Sequence, residues 1–72
     1  MVVEVFKTNV TDIEVANKIV SDLNIHLPNS KINFDLTDCD NILRIESSTD
    51  IQVESITEHF VRWGYFCEVL ES

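Results

Sequence analysis

The apolar residues of this chain repeat at alternating periods, and the order of those periods constrains the fold more than any other feature. Val2 to Phe6 is a β-rich run, and from Val15 to Leu27 the apolar repeat is every three to four residues. The repeat is every second residue in Lys31 to Leu36, and Ile42 to Glu46 follows as a third strand. The repeat is three to four again from Val53 to Trp63, and Tyr65 to Leu70 reads as a last strand. Period two marks a pleated strand and period 3.6 an amphipathic helix. The chain therefore reads β-α-β-β-α-β. Each helix has one apolar stripe and needs one sheet face to bury it, and right-handed crossovers bring both helices to the same face. The expected fold is α+β: a ferredoxin-like βαββαβ open-faced sandwich, antiparallel, in the order 4-1-3-2.

Local signals set the boundaries. Thr11-Asp12-Ile13-Glu14 has the spacing of a capping box, with Val10 and Val15 placed as a hydrophobic staple, so Thr11 is the expected cap of helix 1. Val15, Ala16, Ile19, Val20, Leu23 and Leu27 form its stripe, and Pro28 ends it near His26. Ile32, Phe34 and Leu36 face the core from strand 2, and Leu43 and Ile45 from strand 3. Thr37 to Asn41 is turn chemistry that makes the two strands a hairpin. Gly64 follows the stripe Val53, Ile56, Phe60, Trp63 where a left-handed residue closes a helix.

Seventy-two residues suffice for one domain, spanning 1-72. The formal charge is −8, from 13 acidic and 5 basic residues. Such a surface repels phosphate backbones and anionic membranes, so neither nucleic acid nor membrane is an expected partner. No apolar run approaches the roughly 20 residues of a membrane span. Met1-Val-Val-Glu does not open as a signal peptide, and the expected location is the cytoplasm. In that reducing compartment Cys39 and Cys67, outside any Cys-x-x-Cys pair, read as free thiols, with Cys67 packing as a small hydrophobe.

Three stretches resemble the heavy-metal-associated domain of copper chaperones and metal-pumping ATPases. Val10-Thr-Asp-Ile-Glu-Val15 occupies the slot of that family's Met-Thr-Cys-x-x-Cys loop. Ile32-Asn-Phe-Asp-Leu36 with Leu43-Arg-Ile45 is similar to its hairpin, and Trp63-Gly-Tyr-Phe-Cys-Glu-Val-Leu70 to its closing segment. The resemblance implies the same fold over the whole chain and, in the family, a soft ion such as Cu(I) held by two thiolates. Here those positions read Asp12 and Val15, so that soft-metal chemistry is not available at this loop. The likeness implies a scaffold, and function has to be argued from the site.

Two candidate sites follow. In this topology the Asn9 to Asp12 loop, the Thr37 to Asn41 hairpin and the Trp63 to Tyr65 corner come out at one end, gathering Asp12, Asp38, Cys39, Asp40 and Tyr65. Hard cations want several oxygen ligands, which makes Asp12, Asp38 and Asp40 the metal candidates. The plainer reading is a solvated turn and a capped helix, and no cofactor or metal ion is expected. A zinc site on Cys39 finds no converging set, because Cys67 belongs to the opposite sheet edge and His26 to the far end of helix 1. His59 reads as a lone surface histidine with no catalytic neighbour. Acylphosphatases share only the architecture: Lys7-Thr-Asn-Val-Thr-Asp12 has neither glycine nor arginine, so no enzyme is expected.

The second candidate is the uncovered sheet face. If Val3 and Val5 point inward, then Phe6, Ile42, Phe66 and Leu70 form an outward apolar patch rimmed by Glu4, Glu46 and Glu68. Such a patch marks a protein contact. That parity also turns Lys7 inward. The expected function is a non-catalytic interaction module that binds another protein, or itself as a homodimer, through this face. The alternative is a metal-handling domain with a carboxylate-rich site at the loop end.

Overall fold

Two helical stripes and one side of a pleated sheet share a single apolar core. A computed structural model describes residues 1–37 and 39–70. Its elements are β1 (Val2–Thr8), α1 (Ile13–His26), β2 (Ser30–Asp35), β3 (Ile42–Ser47), α2 (Val53–Trp63) and β4 (Cys67–Val69). All strand pairs are antiparallel, and the sheet order is β2-β3-β1-β4, which from the other edge runs β4-β1-β3-β2. Ala16, Ile19 and Leu23 of α1 and Ile56 and Phe60 of α2 are buried with Ile32, Leu43 and Ile45 of the sheet. These sheet residues share one parity, so both helices cover the same face.

Strand β1 takes the opposite phase to the one expected. Phe6 is 0% exposed and Thr8 is buried, while Val3 is 38% exposed and Lys7 is exposed. The register agrees: Phe6 lies opposite Leu43, and Val5 opposite the exposed Arg44. Burying one phenyl ring removes more apolar surface from water than burying a valine, and this phase keeps the Lys7 ammonium in solvent. Phe6 therefore leaves the outward patch. The half-buried Glu4 moves to the helix side.

Helix α1 starts one residue later than the capping box suggested. Asp12 is its cap: Glu14 N donates to Asp12 Oδ1 at 2.8 Å, and Ala16 N donates to the Asp12 carbonyl at 3.0 Å. A carboxylate at this position also complements the positive end of the helix, which a hydroxyl does not. At the other end Leu27 N donates to Leu23 O at 2.7 Å before Pro28.

Helix α2 closes on Gly64, which takes φ +81°. Gly64 N donates to Val61 O and Tyr65 N to Phe60 O, the paired bonds of a Schellman closure. That closure shortens β4. The Tyr65 amide is spent on α2, and the Phe66 amide donates to Asn9 Oδ1 at 2.7 Å, so ladder pairing begins only at Cys67.

Candidate functional site

Thr8 ties the loop end together. Its amide donates to Asp40 O at 3.1 Å, its hydroxyl donates to Asn41 O at 2.7 Å, and the same hydroxyl accepts from Val10 N at 3.2 Å. With the bond from Phe66 to Asn9, this brings the β1–α1 loop, the β2–β3 hairpin and the α2–β4 corner to one end. The metal candidates placed there are already engaged. Asp12 caps α1, and Asp40 Oδ1 lies 3.6 Å from Lys7 Nζ. Asp38 lies outside the described residues. Tyr65 is half-buried and lines a groove between α1 and the end of α2 together with Val15, Ile19 and Trp63. Among the described residues, no three His, Cys, Asp or Glu side chains are grouped to hold a metal ion.

The thiols and imidazoles sit elsewhere. Cys39 is exposed; Cys67 is half-buried on the helix side of the sheet, opposite Thr8, and burial pushes its thiol up to about 12. Both are free. His59 is not alone as its sequence position suggested. Its ring lies 4.5 Å from that of His26 and stacks at 5.6 Å on Trp63, which meets Phe60 edge-on. The two imidazole planes are tilted by 37°, and the contact joins the last turn of α1 to α2.

The uncovered sheet face carries the remaining exposed apolar surface of the strands. Residues opposite one another across the ladders share a face, so the register maps it directly. Asn33 and Arg44 are neighbours, Arg44 faces Val5, and Leu70 N donates to Val5 O at 2.7 Å, which gives one row from β2 to β4. On either side lie Asp35 beside Ile42 with Lys7 beside Glu68, and Lys31 beside Glu46 beside Val3. Phe66, 48% exposed, flanks the start of β4, and Leu70 is 39% exposed at its end. Ile42, Phe66 and Leu70 lie on the face where the sequence pattern puts them. Val3 and Val5 take the place of Phe6, and the signals that find them are the charge of Lys7 and the size of the Phe6 ring, which together outweigh the Glu4 carboxylate turned to the helix side.

Comparison with known proteins adds no relative: no family model, curated protein or solved structure matches this chain. The resemblance to heavy-metal-associated domains rests on the three stretches of sequence alone.

Proposed function

We propose that this chain is a non-catalytic protein-interaction module, built on a ferredoxin-like scaffold of the heavy-metal-associated kind without its thiolate site. Its working surface is the open sheet face, and the cytoplasm suits its two free thiols. The supporting observation is the apolar group Val3, Val5 and Leu70 on neighbouring strands β1 and β4, ringed by charge, with Phe66 on the same face beyond the Lys7–Glu68 pair. Contiguity is what counts. Ile13 and Ile25 are also exposed, but they stand twelve residues apart on α1, roughly 18 Å along the axis. Val61 stands among Thr57, Glu58 and Arg62 on α2. Single exposed apolar residues need no explanation, whereas a contiguous group does.

The test is a comparison of baits. Wild type and Phe66→Glu are immobilised after circular dichroism has shown that both are folded. The wild type retains a protein from an extract of its own cells, or its own soluble copy, and the variant loses it. Equal retention by both baits refutes the reading.

A further inference from the structure

We infer that the open face binds a second copy of this chain, sheet against sheet, with each strand crossing its own counterpart in the reverse direction. This inference rests on the open face being the working surface, and it names the partner.

Charge distribution carries the first part. Lys7, Lys31 and Arg44 share the open face with Asp35, Glu46 and Glu68, so that face is balanced. Eleven of the 13 acidic residues are described, all but Asp38 and Glu71; with three on this face, eight lie elsewhere. Against those eight stand Lys18 and Arg62, with Lys7 reaching Asp40 from the edge of the open face at 3.6 Å. Away from this face the surface carries a net excess of acidic residues, so two copies approaching there bring more like charge within the screening length of about 8 Å than two open faces do.

The order of charges along β2 carries the second part. Its outward residues are Lys31, Asn33 and Asp35, all exposed, which read plus, neutral, minus. A two-fold axis running across the strands lays each strand on its own counterpart and reverses its direction. Lys31 of one copy then meets Asp35 of the other, twice per dimer. The same operation stacks Val5 on Val5 and Leu70 on Leu70, and lays Val3 beside Lys7 and Ile42 beside Glu46, where the apolar stems of the charged side chains meet them. Arg44 also meets its counterpart, with Glu46 Oε1 4.0 Å from its Nε as counter-charge. A two-fold along the strands would instead lay β2 over β4 and set Asp35 against Glu68, so the charges select the first arrangement. Sheets packed face to face in this way are a common solution for one uncovered apolar side.

Size sets the affinity. At about 4.8 Å per strand and about 3.3 Å per residue, four strands of this length offer a footprint of roughly 400 Å². Stable complexes bury about 800 Å² per partner, so the pair is weak and exchanging, with a Kd in the range of roughly 10 μM to 1 mM.

Sedimentation velocity over a concentration series tests the arrangement, with wild type, Lys31→Glu, Asp35→Lys and the double exchange. Wild type associates with concentration. Each single exchange turns two attractive contacts repulsive and weakens the Kd roughly tenfold. An equimolar mixture of the two single variants, and the double variant alone, recover association. Asp35 Oδ1 also accepts from Thr37 N at 3.1 Å and Thr37 Oγ1 at 2.6 Å. If Asp35→Lys loses its fold by circular dichroism, Val5→Arg on the two-fold axis replaces it and abolishes association. A wild type that stays monomeric throughout overturns the inference and leaves the bait comparison to decide the broader reading. A dimer indifferent to the exchanges but lost in Phe66→Glu overturns this arrangement alone. A dimer indifferent to all the variants overturns both.

Discussion

Truncating two adjacent residues of β1 separates the two faces of the sheet. Phe6 is fully buried between the helices and β3, and Val5 looks the other way. Replacing a buried phenylalanine by alanine costs about 3–5 kcal/mol, from lost transfer and the cavity left behind. A chain of 72 residues has a total stability of roughly 4–11 kcal/mol at typical values per residue. Phe6→Ala therefore consumes between about a quarter and all of it, and lowers Tm by at least about 12 °C. Val5→Ala removes two methylene equivalents that are already partly wet, so its cost is about 1 kcal/mol or less. Urea titration followed by far-ultraviolet circular dichroism measures both, with equal slopes confirming that the same transition is observed. If Val5→Ala proves the costlier change, the phase of β1 is reversed and the map of the open face fails with it.

Further expectations follow from the helix ends and the buried thiol. Asp12→Ala should cost about 1 kcal/mol in the same urea titration and Thr11→Ala close to nothing, because the cap bond belongs to Asp12. Gly64→Ala should cost about 1 kcal/mol by thermal melting: a Cβ there meets no atom within 4 Å, so only the left-handed backbone is penalised. A thiol reagent at pH 8 should label Cys39 quickly and Cys67 slowly in the folded protein. The Cys67 thiol stays protonated in the fold up to about 12, whereas the unfolded chain releases that proton near 9.0. Its contribution to stability is thus complete below about 9 and declines as pH rises from there towards 12. Cys67→Ala should lose that part of the alkaline decline, read as the difference between the two stability curves.

Much of this fold is legible in the residues because several signals agree at each element. Pro28 and Gly64 bracket helices whose stripes are unambiguous, and Leu43 and Ile45 leave β3 a single phase. β1 is harder because Val2, Val3, Val5 and Phe6 offer apolar residues to both sides, so alternation alone does not choose. Lys7 and the size of the Phe6 ring choose, and both weigh more than the count of valines. The cap of α1 is ambiguous for a local reason: Thr11 and Asp12 are adjacent and both can accept from a free amide. The short β4 follows from a long-range bond, Phe66 to Asn9, that no local pattern announces. The histidine contact between α1 and α2 is of the same kind, joining residues 33 positions apart. On the open face, each outward residue follows from parity once the phase of β1 is known.

The central claim is that the open sheet face is the surface through which this chain works, and dilution followed by residue-resolved amide shifts tests it directly. Between about 1 mM and about 10 μM, the account predicts concentration-dependent shifts at Val3, Val5, Arg44, Phe66 and Leu70, with Lys18 and Arg62 on the helices unmoved. Shifts confined to α1 and α2, or a spectrum unchanged over the whole range, would contradict it.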